Sequence, residues 1–361
     1  MTCRPVPMAV DLGIIEGFYG RPYDWQERAD MVAALAPAGF RLYLYAPKAD
    51  ELFRRRWREP SPVAHLEDLR GFSQTCRAQG VRFGVGLSPY ELFLGFDSAA
   101  KADLKVKLRQ LDEIGIDDLG VFFDDMRGDL PDLAARQVEI CHWIAERSGA
   151  SRIIVCPSYY TDDPILDRVF GRRPPNYLED LGAGLDLAIA VMWTGPEVCS
   201  REFSIGHLDQ VARVLRRKPL LWDNYPVNDG PRMSRCLHLR AFTGRAAAIA
   251  PHVAGHVINT ASQAVLSRIP ALTLAESYEL GDGYDYGVAF RRAAGAVLGL
   301  DLAEAVARRV LLFEDTGLGG IDDARASRLR AEFGAFDHPA AREIVAWLSG
   351  AWTVGIDDAP T

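Results

Sequence analysis

Eight short apolar runs, separated for the most part by amphipathic stretches, constrain this chain more than any other feature of it. They are Gly13–Tyr19, Arg41–Pro47, Val81–Ser88, Leu119–Asp124, Arg152–Pro157, Leu185–Trp193, Pro219–Trp222 and His256–Asn259. Runs apolar nearly throughout are strands covered on both faces, as in parallel sheets. Helical periodicity fills Trp25–Ala36, Val63–Gln79, Ala99–Ile114, Leu133–Arg147 and His207–Arg217. Gly39, Gly80 and Gly115 stand where a helix must stop before a strand, and Ser98 is placed to cap Ala99–Ile114. Eight βα units in roughly 250 residues predict an α/β fold, a TIM (β/α)8 barrel. A doubly wound sheet would want fewer strands and a glycine-rich first turn.

After Asn259 the pattern changes. Ala261–Leu280, Tyr286–Leu298, Leu302–Phe313, Asp322–Phe333 and Pro339–Trp347 read as helices, broken at Gly281–Gly283 and Gly317–Gly320. Residues 1–280 are therefore expected to form the barrel and residues 281–361 a helical C-terminal appendage that covers the cleft, dimerises or stabilises.

Charge and cysteine usage narrow the function. A net charge of −8 argues against nonspecific binding to nucleic acid or anionic lipid. The one dense basic run, Arg54, Arg55, Arg56 and Arg58, is read as a solvated loop. The start, MTCRPVPMAV, has no apolar segment of signal-peptide length and no run is long enough to span a membrane, so a cytoplasmic location is expected. Cys3, Cys76, Cys141, Cys156, Cys199 and Cys236 are scattered, with no CxxC and no Cys/His ligand spacing. No metal and no cofactor are implied, since GxGxxG, GxxxxGK[ST] and GxSxG are also missing.

The chemistry is carried by the fourth run, which ends in the adjacent carboxylates Asp124 and Asp125. Successive strand residues point to opposite faces, although at a strand's very end both can lean into one cleft. An Asp-rich turn or a helix cap is the competing explanation. The other strand ends weigh against it, because catalytic groups of this barrel sit on the loops of its C-terminal face. Those ends offer Glu16, Gly17 and Tyr19; Lys48 and Asp50; Cys156, Tyr159 and Tyr160; Trp193 and Thr194; Asp223, Asn224, Asn228 and Asp229; and Asn259. The opposite strand ends offer no comparable set. Of the residues near the cleft, Trp193 is read as wall or core, Cys156 as an apolar filler and Glu16 as a structural carboxylate paired inside the barrel.

Carboxylates, amides and aromatic faces suit a neutral polyhydroxylated ligand, whereas a phosphate would want arginines and backbone amides. Two adjacent aspartates are too close to flank a glycosidic bond as separate acid and nucleophile. They fit the substrate-assisted exception, in which the sugar's own 2-acetamido oxygen attacks.

These residues, in order, resemble glycoside hydrolase family 84, the β-N-acetylglucosaminidases. The carrying motifs are GIIEGFYGRPYDWQER (Gly13–Arg28), YLYAPKAD (Tyr43–Asp50) with WRE (Trp57–Glu59), FFDDM (Phe122–Met126), CPSYY (Cys156–Tyr160), MWTGPEV (Met192–Val198) and LWDNYPVND (Leu221–Asp229). The resemblance implies that Asp124 orients the acetamido group, that Asp125 is general acid and then base, and that Tyr160 hydrogen-bonds the acetamido oxygen. It implies further that Cys156 and Trp222 line the acetamido pocket, while the Gly17 carbonyl, Lys48, Asn224, Asp229 and Asn259 bind the sugar hydroxyls. The pattern departs at Ala49, where an acidic residue is usual, and after Asn259, where a proline is usual. The expectation is a retaining exo-β-N-acetylglucosaminidase acting on a β-GlcNAc glycoside or glycoprotein through an oxazoline, with family precedent for a homodimer through the C-terminal helices. Open beside it stand an enzyme of specialised metabolism processing GlcNAc on a small glycoside, and a non-catalytic sugar-binding barrel.

Overall fold

A computed structural model describes residues 10–355, so the readings of Cys3 and of the N-terminal start lie outside the described residues. All eight expected strands form: β1 (Leu12–Glu16), β2 (Phe40–Tyr45), β3 (Arg82–Leu87), β4 (Asp118–Phe122), β5 (Arg152–Cys156), β6 (Ala190–Trp193), β7 (Leu220–Asp223) and β8 (Gly255–Asn259). They close in sequence order into one parallel barrel, with β8 returning to β1 through pairs from Leu12↔His256 to Ile15↔Asn259.

Helices α1 (Trp25–Leu35), α2 (Val63–Ala78), α3 (Ser98–Ile114), α4 (Leu133–Ala145), α5 (Ile165–Val169), α6 (Tyr177–Gly184), α7 (Ile205–Leu215) and α8 (Arg268–Leu280) surround it. The short α5 and α6 escape the periodicity, α6 because Gly182 and Gly184 interrupt its apolar stripe. Asp97, not Ser98, caps α3, its carboxylate accepting from Ala100 N. A charged acceptor suits the positive end of a helix better than a hydroxyl. Strand β6 begins at Ala190 rather than Leu185, because Asp186–Ile189 closes a turn first. Helix α8 begins at Arg268 rather than Ala261. Pro270 has no N–H to give and is tolerated only in a first turn, which fixes the start nearby.

The barrel interior follows from the pleat. Along β4 every second residue faces inward, so Asp118, Gly120 and Phe122 share the lumen with Asp124 above them. A Cβ on Gly86 would overlap both Phe122 and Ala46, so glycine there makes room for the Phe122 ring, which tilts against Trp222 at 5.4 Å. At the N-terminal end of the barrel Arg82 bonds Asp118 at 3.0 Å and Asp11 at 2.6 Å, and Arg152 reaches Asp11 at 3.1 Å. The opposite strand ends are thus charged after all. The two arginines and two aspartates balance one another in charge.

Glu16 is fully buried, but it points between barrel and helices rather than into the lumen. It accepts from Arg28 Nε (2.8 Å) and Nη2 (2.9 Å), Tyr43 Oη (2.9 Å) and Tyr23 N (3.0 Å). Trp193 is likewise buried outside the lumen, bonding His207 at 3.2 Å. Among the described residues no helix is long and apolar enough to cross a membrane.

Beyond α8 come α9 (Tyr286–Leu298), α10 (Leu300–Ala307), α11 (Asp323–Gly334) and α12 (Pro339–Leu348). The expected Leu302–Phe313 helix instead divides into α10 and a widened π-turn, Leu312–Thr316. These helices enclose their own core around Phe313, Phe333 and Trp347, completed by Leu237, Leu239, Leu266 and Ile269 from the barrel's connections. Glu314 and Glu343 dock the two parts, accepting from Leu239 and Arg240 N and from Val265 and Leu266 N.

Truncating one partner of a buried ion pair leaves the other uncompensated. Arg28→Met is expected to lower unfolding free energy by about 3–5 kcal/mol in urea melts, with much of that recovered when Glu16→Leu is added.

Candidate active site

At the C-terminal end of the barrel a cavity of about 350 Å³ brings together Gly17, Lys48, Asp124, Asp125, Cys156, Tyr160, Trp222, Asn224, Asp229 and Asn259, every residue the sequence analysis placed in the site. Most arrive by the pleat: Gly17, Lys48, Asp124, Cys156, Trp222, Asn224 and Asn259 each continue the inward phase of their strand. Asp125 breaks that phase. Its φ of 54° lies in the left-handed region, rare for a residue other than glycine, and it turns the second carboxylate back into the cavity.

Lys48 joins the pair. Its ammonium bonds Asp124 Oδ2 and lies 3.5 Å from Asp125 Oδ2. Burial works against its charge, yet the two carboxylates outweigh burial and hold it protonated well above the usual lysine range. Asp124 Oδ1, buried, has no partner at all. A buried acceptor left unsatisfied is costly unless a ligand supplies the donor.

Asp125 accepts from Tyr19 Oη at 2.9 Å and from Tyr160 Oη at 3.1 Å. Burial alone would raise its pKa. Lys48, the Tyr19 bond, Arg54 and the Tyr160 bond together prevail and bring it below the ordinary carboxylate range. Burial also pushes the Tyr160 phenol well up, so it remains a donor. Asp229 differs: desolvation, with Asp125 nearby, lifts it to about 6 despite the bond from Tyr19 N at 2.9 Å.

The amides form a chain of their own. Gly17 N donates to Asn259 Oδ1 (3.1 Å), Asn259 Nδ2 to Asn224 Oδ1 (3.0 Å) and Asn224 Nδ2 to Val198 O (2.8 Å), while Trp222 Nε1 also donates to Asn224 Oδ1 (2.9 Å). Gly17 must be glycine, because a Cβ would stand 2.6 Å from the Trp222 ring. Ile165, Leu166, Val169, Phe170, Val198, Val227 and Met233 make the remaining wall apolar.

Two residues of this set were not legible. Tyr19 appears in the sequence only as a strand end, and Arg54 only as one of a basic run read as solvated. Arg54 is in fact buried and bonds Tyr19 Oη at 3.2 Å, unlike its exposed neighbours Arg55, Arg56 and Arg58. Nothing in a run of arginines marks the one that folds inward. Among the described residues no group of three or more His, Cys, Asp or Glu is arranged to hold a metal ion.

Comparison with known proteins bears on family and fold. The beta-N-acetylglucosaminidase family profile matches residues 12–312. Protein O-GlcNAcase of Mus musculus is 30% identical over 277 residues, and that of Rattus norvegicus is equally similar; the match takes in 74% of this chain. The chain spans 30% of the length of these relatives. A mutant O-GlcNAc hydrolase of Thermobaculum terrenum superposes with a TM-score of 0.78 at 29% identity, covering 94% of this chain and 80% of that one. CpGH84B, at 23% identity and a TM-score of 0.76, covers 95% of this chain and 66% of that one and attests the fold alone.

An elevated carboxylate pKa sets a sign for binding. Above about pH 6 Asp229 is a carboxylate that only accepts; below it the bound proton turns one of its oxygens into a donor. Calorimetric affinity for N-acetylglucosamine should fall as pH drops through about 6, and Asp229→Asn should abolish the dependence.

Proposed function

The chain belongs to the beta-N-acetylglucosaminidase family, and from that premise we propose that it is a retaining exo-β-N-acetylglucosaminidase that hydrolyses terminal β-linked GlcNAc by substrate assistance through an oxazoline. The observation that carries the proposal is the unpartnered, buried Oδ1 of Asp124 beside an Asp125 turned inward against the pleat.

In this reading the sugar's acetamido N–H fills the vacancy on Asp124. Lys48 bonds the other oxygen of Asp124 and fixes the carboxyl in place, so that Oδ1 accepts from the amide N–H and raises the nucleophilicity of the carbonyl oxygen. Cys156 and Trp222 enclose the acetamido methyl, and Tyr160 Oη turns from Asp125 to the acetamido oxygen. As that oxygen attacks the anomeric carbon, Asp125 gives its proton to the departing glycosidic oxygen. It then takes a proton from the water that opens the oxazoline, restoring the β configuration.

Lys48, the two tyrosine hydroxyls and Arg54 hold Asp125 low, which suits the base more than the acid. A bound sugar works the other way. It takes over the Tyr160 bond and removes water from around the carboxyl, and both changes favour the protonated form. Gly17, Lys48, Asn224, Asp229 and Asn259 are assigned to the ring hydroxyls. Lys48 has a second assignment, since the structure engages it with Asp124.

Turnover of 4-methylumbelliferyl β-N-acetylglucosaminide is the test, run beside its N-trifluoroacetyl analogue. The electron-poor amide should react slower by orders of magnitude, since its oxygen is the nucleophile. Asp124→Asn should lose on the order of 10²-fold or more on every substrate. Asp125→Asn should lose most on poor leaving groups and partly spare activated aryl glycosides, which need little protonation. Equal rates for the two amides from an active enzyme would sink substrate assistance, and no turnover from the folded protein would sink the hydrolase.

A further inference from the structure

A second cavity, of about 1020 Å³, adjoins the first and shares Cys199 and Met233 with it. Its walls come from three places: the segment after β6 (Arg201), the β7–β8 connection (Arg232, Arg235, His238, Arg240), and the appendage's π-turn with Gly319. Four arginines face two carboxylates there, and both carboxylates are already engaged. Asp315 pairs with Arg240, and Glu314 accepts from Leu239 N, Arg240 N and Tyr225 Oη. His238 is tied to the carbonyls of Pro226 and Val227.

That leaves Arg201, Arg232 and Arg235, none of which pairs with a carboxylate among the described residues. Their backbone is nonetheless fixed. Arg245 donates to the Arg201 carbonyl, and the Arg235 carbonyl packs on Gly317, whose φ of +61° and close approach require glycine. On a chain of net charge −8, a concave wall with three uncompensated guanidinium groups is a local attractor for anions.

We propose that this groove receives the aglycone and selects one rich in carboxylates, an acidic peptide whose Ser or Thr hydroxyl carries the sugar. The inference rests on the hydrolase reading. Cys199 and Met233 line both cavities, which sets the arginines beside the sugar cavity, and the groove has nearly three times the volume of that cavity, room for several residues of chain. Guanidinium forks bind carboxylates two bonds at a time, and side chains spaced along a peptide can meet arginines spaced along a wall.

The test uses three serine-linked GlcNAc peptides of equal length with Asp, Asn or Lys flanks, and the 4-methylumbelliferyl glycoside, whose short neutral aglycone reports on the sugar site alone. Wild type should prefer the acidic over the neutral peptide by about tenfold in kcat/KM at low salt, the sum expected of three exposed ion pairs, and disfavour the basic one. Added salt should erode the preference. The exposed-residue triple variant Arg201→Gln, Arg232→Gln, Arg235→Gln should level the three peptides while leaving the aryl glycoside rate unchanged. If the aryl glycoside is cleaved but the peptides are indistinguishable, or the preference survives in the variant, the groove proposal is wrong. If the aryl glycoside is not cleaved, the hydrolase reading fails. Fluorescence anisotropy with the labelled acidic and basic peptides then decides the groove: selective binding of the acidic peptide lost in the variant upholds it, and equal binding overturns it.

Discussion

Alternation along eight parallel strands is the constraint on which the rest of this structure depends. In a closed barrel each strand sends every second side chain to the lumen, so one registry decision fixes floor, wall and site together. On β4 the inward phase gives Asp118 at the base, Gly120 in the middle, Phe122 as floor and Asp124 as functional group. The same phase carries Ala46 to Lys48, Ile154 to Cys156 and Trp222 to Asn224. A one-residue slip in any strand would exchange the site for the helix-facing core. Asp125, next to the inward-facing Asp124, departs from that phase, and it does so by backbone conformation rather than by register.

Charge supplies the second layer. Bringing Asp124, Asp125 and Asp229 into a largely apolar cavity would be prohibitive without compensation. Lys48 offsets the first two directly, Tyr19 and Tyr160 donate to Asp125, and Arg54 supports Tyr19 from behind. Asp229 lies farther from that cation, and its elevated pKa records the difference. The three carboxylates are thus not equivalent. Each answers to how closely a cation and hydroxyl donors approach it.

The appendage bears on the site through the β7–β8 connection. Among the described residues this crossover holds only short helical turns, so it cannot brace itself as α1 to α7 brace the others. Glu314 takes two of its backbone amides, Trp347 donates to Ser234 O, and Leu237 and Leu239 enter the appendage core. From the barrel side Arg245 holds Asp223 and the carbonyls of Ser200 and Arg201. The loop that carries Asp229 into one cavity and Arg232 and Arg235 into the next is therefore clamped between two cores.

The sequence by itself determined the strand count, the barrel, the end of it that carries the main cavity, and ten of the residues that line that cavity. All of these rest on local periodicity or on ordered short motifs, which need no knowledge of distant partners. Helix limits were legible where an αL glycine punctuates the chain, as at Gly115, and obscure at the start of α8, read from Ala261 although the helix begins at Arg268, and where glycines interrupt an amphipathic stripe, as in α6. Tertiary structure alone decided that Arg54 turns inward while Arg55, Arg56 and Arg58 stay out, that Tyr19 meets Asp125, and that Glu16 faces Arg28 rather than the lumen. It alone revealed that the charges at the barrel's other end cancel. Those are pairings across 12 to 141 residues of chain, and their energies belong to distances that exist only once the barrel has closed.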